Sequence, residues 1–186
     1  MHEDCGDWVH PVGDPKNYRH VTNILTVTPS IDESARIVDS TVGQAEIREF
    51  VTVHDSEIGD GCRIYEKSSI KKSRLSEEVD VNAGSYIENA EIGTHVQIGP
   101  NCAVVGVTHE LSARGMAFRD DIFDRIILHD GVFIGANAVI TPGVELGAGS
   151  VISAGATVTH DIGSKKIVLG TPPAQKIIDL DTWMNR

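Results

Sequence analysis

The sequence of 186 residues predicts an all-β fold, a parallel β-helix of triangular cross-section in which each turn contributes three short strands. Aliphatic residues recur every six positions, a related string returns every 16 or 17 residues, and aromatic residues make up only 5% of the chain. A period of six fits neither an amphipathic helix nor a plain strand, but it fits a short strand followed by a corner. Because a narrow prism has no room for large rings, the low aromatic content agrees with this fold.

The strict repeat lies in the second half of the chain. Its aliphatic positions, spaced six apart, are Leu128, Ile134, Ile140, Leu146, Ile152 and Val158. Four positions after each of these comes a mostly small, mostly apolar residue: Val132, Ala138, Val144, Ser150, Ala156 and Ile162. We expect one aliphatic side chain per strand to point inward, with small residues letting the corners close. The 18 glycines suit tight corners, because glycine adopts positive φ without strain.

The first half of the chain carries a slightly shortened form of the same repeat. The aliphatic positions step by six, six and five: Ile58, Ile64, Ile70, Leu75, Val81, Ile87, Ile92, Ile98 and Val104. The five-residue step falls on a recurring string, which spans residues 37–41, 53–57, 70–74 and 87–91. Three short strands per 17 or 18 residues predict about six turns between residues 37 and 162.

We expect three parts along the chain. Residues 1–30 form an N-terminal arm or cap, and residues 31–162 form the β-helix. Residues 163–186 form a tail with a short helix over the other end, since each end of the stack is an unpaired edge that needs a cover. Within the β-helix, the six-residue rhythm breaks over residues 105–127, which predicts an extruded loop. Loops projecting from a rigid scaffold often carry function.

Charge and composition exclude several classes of protein. The chain has 27 acidic and 16 basic side chains, for a net charge of −11, so nucleic acid is not expected as a partner. No stretch reaches the ~20 apolar residues of a membrane span, and the polar N-terminus shows no secretory signal. Three cysteines, Cys5, Cys62 and Cys102, predict free thiols in a reducing cytoplasm.

Three strings carry a resemblance to a known family. They are Gly106-Val-Thr-His109, the run from Gly131 to Gly143, and the closing segment from Gly170 to Ile177. They resemble the hexapeptide-repeat acyltransferases, and more narrowly the xenobiotic and sugar O-acetyltransferase branch, whose fold is a left-handed parallel β-helix. The resemblance implies a homotrimer with active sites between subunits, acetyl-coenzyme A as co-substrate, no metal, and a small-molecule acceptor.

By its position in the resemblance, His109 is the general base. An imidazole suits this role near neutral pH, since the attacking hydroxyl or amine must lose a proton. The alternative interpretation is an ordinary surface histidine. For the acceptor, the resemblance places Asn82 and Phe118 near the base, and Glu110 could orient His109 or contact a cationic acceptor. Asn82 could equally be a corner residue, Phe118 a packing residue and Glu110 a solvated carboxylate.

The resemblance also implies cofactor-binding positions. Phe133 stands where the family usually has tryptophan, and His160 replaces the usual lysine, which in the family makes a phosphate contact. The remaining positions border the pantetheine arm or offer cations to the nucleotide: Ala136, Ala154, Thr159, Lys165, Lys166 and Lys176. The small residues could also be explained by the corners alone, and the lysines by a solvated tail.

Two other functions remain open from the sequence. A metal enzyme like the γ-class carbonic anhydrases would place three histidine ligands on adjacent turns, two of them separated by four residues. The chain has no such pair, because His54, His95, His109 and His129 are too widely spaced. The second alternative is a non-catalytic β-helix that serves in assembly. The identity of the acceptor, the choice between O- and N-transfer, and the length of the acyl group are not predicted.

Overall fold

The structure, a computed structural model, describes residues 28–112 and 115–185, with side chains at all of these except 111–112 and 117–119. It is a left-handed parallel β-helix of about eight turns, which confirms the predicted fold class. No helix among the described residues is long and apolar enough to cross a membrane. The predicted arm 1–30 lies, apart from its last three residues, outside the described residues.

The strands, in chain order, are β1 Ser30–Ile31, β2 Arg36–Val38, β3 Thr41–Val42, β4 Glu46–Ile47, β5 Thr52–His54, β6 Glu57–Ile58, β7 Arg63–Ile64, β8 Ser69–Lys71, β9 Arg74–Leu75, β10 Asp80–Val81, β11 Tyr86–Glu88, β12 Ala90–Ile92, β13 Gln97–Ile98, β14 Ala103–Val105, β15 Val107–Ser112, β16 Gly115–Phe123, β17 Ile126–Leu128, β18 Phe133–Ile134, β19 Val139–Ile140, β20 Glu145–Leu146, β21 Val151–Ile152, β22 Thr157–Val158, β23 Lys166–Leu169 and β24 Lys176–Asp179. One helix, α1, spans Leu180–Met184.

Three sheets form the faces of the prism, and the chain visits them in the order A, B, C on each turn. Sheet A runs β1-β4-β7-β10-β13-β18-β21-β23-β24, sheet B runs β2-β5-β8-β11-β14-β19-β22, and sheet C runs β3-β6-β9-β12-β17-β20. We number the turns from the strands of sheet A, so that β1 opens turn 1 and β23 opens turn 8. Within these three sheets the strand pairs are parallel except β23 with β24, so successive turns stack in register.

The aliphatic repeat forms the core. Every aliphatic position predicted from the six- and five-residue steps between residues 58 and 158 is at most 2% exposed. The repeat runs further than the predicted six turns, because Ile31 and Val168 continue the spacing of six beyond Ile37 and Ile162. The turn count predicted from the sequence was therefore too low.

The recurring five-residue string forms the corner between sheets B and C. Its third residue takes a left-handed conformation, with φ between 47° and 53°, at Asp39, Asp55, Lys72 and Asn89. In the first three strings the next residue is a buried serine, and these serines form a ladder: Ser40, Ser56 and Ser73. Each hydroxyl donates to a carbonyl of its own turn and accepts the N–H of the next turn, as Ser56 does from Ser73 at 3.1 Å. The shortened step thus satisfies buried polar groups at this corner.

The C-terminal segment covers part of the last turn. Strand β24 pairs antiparallel with β23, and α1 follows directly, so the predicted short helix is present. Asp179 caps the helix by accepting from the N–H groups of Asp181 and Thr182, and it pairs with Lys166 at 3.1 Å. These contacts lower the pKa of the Asp179 carboxyl, chiefly through Lys166.

Candidate active site

A β-hairpin projects from the prism at the corner between sheets B and C of turn 5. Strand β14 ends at Val105, β15 and β16 pair antiparallel, and the chain re-enters sheet C at Ile126. The segment predicted as an extruded loop therefore contains a two-stranded sheet. A solenoid tolerates such an insertion at a corner because the strands of the turn keep their partners above and below.

The stem of the hairpin is anchored to the turn beneath it. Asn89, buried and left-handed, donates its side-chain amide to the carbonyl of Gly106 at 2.7 Å. The N–H of Asp124 also donates to that carbonyl, at 3.0 Å. A Cβ on Gly106 would lie 2.4 Å from the carbonyl oxygen of Asn89, so the close approach requires glycine. The hairpin therefore leaves the scaffold in a defined direction.

His109 lies on this hairpin, opposite Asp121 in the strand register. Nδ1 of His109 is 3.2 Å from Oδ1 of Asp121, and the two side chains are 42% and 49% exposed. The Nδ1 atom itself is buried and has no well-aligned hydrogen bond with the described residues. The two side chains therefore lie within ion-pair distance of each other without forming a good hydrogen bond. The imidazole thus stands outside the prism, next to a carboxylate, on a projecting element.

The hairpin also exposes apolar side chains. Met116 is 61% exposed, Ile122 44% and Phe123 48%, values that are high for large hydrophobic residues. The ammonium group of Lys72, two turns away along the same corner, lies 4.2 Å from the centre of the Phe123 ring. Met116, Ile122 and Phe123 thus present apolar surface on the hairpin.

The structure separates the acceptor residues predicted from the sequence. Glu110 follows His109 on β15 and is exposed, and Phe118 lies within β16. Asn82 lies elsewhere, at the corner between sheets A and B of turn 4, where its side-chain amide donates to the carbonyl of Ile98 at 3.0 Å. Asn82 therefore has a structural partner at its corner.

Three of the predicted cofactor positions share one side of the prism. Ala136 and Ala154 occupy the same corner between sheets A and B on turns 6 and 7, and a Cβ on Gly135 would lie 2.5 Å from the N atom of Ala154. Phe133, on the outer face of sheet A just before this corner, is 44% exposed. The small side chains of Ala136 and Ala154 leave open space at this corner, and the exposed Phe133 ring lies beside that space. A narrow chain such as a pantetheine arm would fit there.

The other predicted cofactor positions are spread over two corners and the last two strands. Thr159 and His160 lie between sheets B and C, where the hydroxyl and Nδ1 are 2.9 Å apart. Lys165 is exposed at the corner between sheets C and A, while Lys166 is engaged by Asp179. Lys176 is exposed on β24. Lys165 and Lys176 are therefore better placed than Lys166 to meet an anionic nucleotide.

Two grooves on the surface of the prism lie apart from His109. A shallow groove of about 630 Å³ runs along sheet C and is lined by charged residues, among them Lys72, Arg74 and Arg125. A smaller depression of about 330 Å³ lies beside His129 and Glu145, whose side chains are 2.6 Å apart. His109 is not among the residues that line these two grooves.

No cluster of histidine, cysteine or carboxylate side chains suited to a metal ion occurs in the described ranges. Cys62 and Cys102 are buried free thiols, and burial raises the pKa of both, that of Cys62 to about 11. The N-terminal histidines and Cys5 lie outside the described residues.

Family comparisons agree with the repeat and the hairpin. The family described as bacterial transferase hexapeptide (six repeats) matches residues 125–160, and the GlmU-like C-terminal hexapeptide family matches residues 26–123. The second match alone spans more than half of the chain. The chain therefore belongs to the hexapeptide-repeat transferases.

Curated relatives place the chain near acetyltransferases. It is 32% identical over 139 residues to a galactoside O-acetyltransferase from Lactococcus lactis, covering 68% of this chain and 65% of that protein. It is also 29% identical over 169 residues to the bifunctional protein GlmU of a Synechococcus strain. That match covers 84% of this chain but 33% of the relative, so the chain spans about a third of the length of that protein.

Solved structures show the same fold. A hexapeptide-repeat acetyltransferase from Vibrio cholerae is 30% identical with a TM-score of 0.58, covering 69% of this chain and 72% of that one. A variant of AntD, an N-acyltransferase from Bacillus cereus in complex with dTDP-4-amino-4,6-dideoxyglucose and coenzyme A, has a TM-score of 0.61. At 16% identity, with 84% and 88% of the two chains covered, this second likeness shows the fold alone.

Sequence reasoning missed Asp121. Neither composition nor the hexads singled it out, because its proximity to His109 depends on the pairing of β15 with β16. The register shifts between His109 and Leu111, so simple counting from the tip of the hairpin would not have found the pair. A hairpin interpretation of residues 105–127 would have been the only available signal.

Proposed function

We propose that the protein is an acetyl-coenzyme A-dependent acyltransferase that acetylates a hydroxyl or amine of a small polar acceptor, such as a sugar or an antibiotic-like molecule. The observation that carries the proposal is the His109–Asp121 pair on a hairpin that projects from a hexapeptide-repeat scaffold. The galactoside O-acetyltransferase among its relatives supports a sugar-like acceptor. Holding acceptor and thioester together would supply much of the rate through orientation.

His109 is the general base in this proposal. Acetyl-coenzyme A supplies the activated acyl group as a thioester. The imidazole accepts the proton of the acceptor as its oxygen or nitrogen bonds to the carbonyl carbon. When the carbon–sulfur bond breaks, the imidazolium returns that proton to the departing sulfur, which leaves His109 neutral. General base catalysis of this kind contributes about 10²- to 10⁴-fold.

Asp121 holds the imidazole in the form that the reaction needs. A carboxylate beside Nδ1 favours the tautomer with its proton on Nδ1, which leaves Nε2 as the base, and it stabilises the imidazolium that forms. The contact lacks good alignment in the free chain, and such hydrogen bonds commonly tighten when substrate binds.

A homotrimer would complete the site. The apolar side chains of Met116, Ile122 and Phe123 on the hairpin need a cover, and His109, whose side chain is 42% exposed, needs a second wall to enclose a substrate beside it. A neighbouring subunit meets both needs. In that arrangement Glu110 and Phe118 contact the acceptor from the hairpin, and Asn82 presents its remaining side-chain oxygen at its corner.

Coenzyme A would lie along the corner between sheets A and B of turns 6 and 7. Ala136 and Ala154 leave room for the pantetheine arm, and Phe133 walls it. Thr159, His160, Lys165 and Lys176 lie on the remaining corners and the last strands, where they are exposed to meet the nucleotide. We place the enzyme in the cytoplasm, since that compartment supplies acetyl-coenzyme A and keeps thiols such as Cys62 reduced.

The proposal is tested by an acceptor screen with free-thiol detection. The protein is incubated with acetyl-coenzyme A and a panel of sugars, amino sugars and antibiotics, and the released coenzyme A thiol is measured. We expect release that depends on the acceptor, and a thermal shift with coenzyme A alone. If no acceptor stimulates release and coenzyme A causes no shift, the transferase assignment is wrong.

A further inference from the structure

Two of the three faces of the prism neutralise their own charges between turns. On sheet A, Arg63 of turn 3 pairs with Asp80 of turn 4 at 3.3 Å. On sheet C, Arg74 of turn 3 pairs with Glu57 of turn 2 at 2.7 Å. Cations and carboxylates alternate on adjacent strands, as expected for cross-strand pairs on a solvated sheet.

Sheet B breaks this rule over turns 1 to 3. Arg36, His54 and Lys71 stand on its three successive strands β2, β5 and β8, and we call these residues the basic strip. His54 is directly beside Lys71 in the register, and Arg36 is one strand away, opposite Thr52. None of the three forms an ion pair with any part of the chain that the structure describes. On a chain of net charge −11, three neighbouring basic groups without an ion pair among the described residues need an explanation, although Lys71 also lies 5.0 Å from the centre of the Tyr86 ring.

Hydroxyl groups line the same face. Thr52 and Ser69 follow Arg36 along the register, and the Thr52 hydroxyl donates to that of Ser69 at 2.9 Å. Above them, Lys71 donates to the hydroxyl of Tyr86 at 3.2 Å. The face therefore concentrates hydrogen-bond donors beside the basic strip, which is the chemistry that recognises oxyanions.

Three carboxylates lie next to the strip. Asp39 and Asp55 lie at the exposed corner beside it, and Glu88 is directly beside Lys71 in the register, where it accepts from the Tyr86 hydroxyl. Burial, and then the charges of Arg36 and Lys71, lower the pKa of His54, while the two aspartates oppose that shift. The local field at His54 is therefore dominated by the cations on either side of it.

We propose that the basic strip is a binding site for a phosphate-class oxyanion carried by the acceptor. The assignment to the acceptor rests on the proposed function, whereas anion binding itself does not. Arg36 and Lys71 stand two strand spacings apart across the sheet and two residues apart along it, about 12 Å in all, so their long side chains must reach toward each other, which favours a diphosphate over a single phosphate. Arg36 and Lys71 bind the anion through charge-assisted hydrogen bonds, and His54 becomes protonated between them.

The strip is placed to serve the candidate active site. Sheet B leads into the hairpin at Val105, which stands beside Glu88 in the register. Lys72, the residue after Lys71, reaches the ring of Phe123 on the hairpin. An acceptor anchored by its diphosphate on turns 1 to 3 would extend along sheet B toward His109. The positions proposed for coenzyme A lie on turns 6 to 8, at the other end of the prism.

The test is titration calorimetry with pyrophosphate and with orthophosphate, without any acyl donor. We expect pyrophosphate to bind more tightly than orthophosphate, and the double variant Arg36→Gln/Lys71→Met to lose at least tenfold in affinity. The matched control is Arg63→Gln/Arg74→Gln, which removes two cations that already have acidic partners and should bind as the wild type does. Unchanged melting temperatures and molecular mass keep the comparison valid.

A second readout is the titration of His54 followed by NMR, where saturating pyrophosphate should raise its pKa. If both double variants bind pyrophosphate equally weakly, the loss of affinity reflects net charge alone, and the proposal is overturned. Displacement of pyrophosphate by coenzyme A would assign the strip to the cofactor, and dissociation of the oligomer in the strip variant would assign it to a subunit interface; either result contradicts us. His109→Ala should bind pyrophosphate normally, so this inference and the proposed function fail separately.

Discussion

His109 and Asp121 face each other across the two strands of the hairpin, with Nδ1 and Oδ1 3.2 Å apart. The pair stands on a hairpin that forms its own two-stranded sheet, outside the three sheets of the prism. A histidine and a carboxylate held together outside the core have no packing role to explain them. We interpret the pair as a base and the residue that positions it.

Replacing Asp121 by Asn should lower kcat at least tenfold with little change in KM, because the amide no longer favours the required tautomer or stabilises the imidazolium. In a serine-protease triad the same exchange lowers kcat about 10⁴-fold. The matched control is Asp120→Asn, because alternate residues of a strand point to opposite faces. Equal rates for both variants would show that Asp121 does not act on His109.

Gly106→Ala should destabilise the protein by about 1–3 kcal/mol through overpacking. The added Cβ would lie 2.4 Å from the carbonyl oxygen of Asn89 and 2.8 Å from that of Asp124, both backbone atoms that cannot move aside. Gly163→Ala is the control, since a Cβ there meets nothing within 4 Å. The free energy of unfolding of both variants is measured by urea denaturation. Similar values for the two would contradict the role of Gly106 in anchoring the stem.

Two buried serines should respond in opposite ways to replacement by alanine. Ser73 accepts from the N–H of Ala90 at 3.0 Å and donates to the carbonyl of Lys71 at 2.6 Å, so Ser73→Ala should cost about 1–3 kcal/mol. Ser150 is fully buried, and its hydroxyl has no hydrogen-bond partner among the described residues. Ser150→Ala should therefore be neutral or stabilising, as measured by the free energy of unfolding; a loss as large as that of Ser73→Ala would be inconsistent with these roles.

Cys62 and Cys102 should resist thiol reagents in the folded protein. Both are buried, and burial raises the pKa of Cys62 to about 11, so little thiolate forms at pH 8. Because the pKa of Cys62 is higher in the folded protein than in the unfolded chain, where it is about 8.5, the protonated thiol contributes to the free energy of unfolding. This contribution is complete below about pH 8.5 and is lost as the pH rises toward 11. In a Cys5→Ser background, we expect no rapid reaction with Ellman's reagent until denaturant is added. Fast labelling of the native protein would contradict the burial.

The repeat made most of the fold predictable. Because a period of six constrains every strand and corner, residues such as Ile134 and Leu146 could be placed in the core from spacing alone, and both are fully buried. The predicted number of turns was too low because the turns at the two ends were missed. Ile31 and Val168 continue the spacing of six there, but each has further repeats on one side only, so the pattern is harder to recognise.

The site was less predictable, because its contacts are not local in sequence. His109 could be singled out by the break in the rhythm and by the resemblance, but Asp121 depends on a strand pairing that the hexads do not encode. Asn82 illustrates the converse: its side chain already serves a corner, by donating to Ile98. The basic strip was missed because Arg36, His54 and Lys71 come together only when three turns are stacked.

The central claim is tested most directly by steady-state transfer with His109→Ala, using the best acceptor of the screen and free-thiol detection. The control is His95→Ala, which removes an exposed histidine paired with Glu78 on a different corner. We predict that His109→Ala lowers kcat about 10²- to 10⁴-fold while coenzyme A binds as in the wild type, and that His95→Ala keeps normal turnover. Near-normal turnover of His109→Ala would contradict the account.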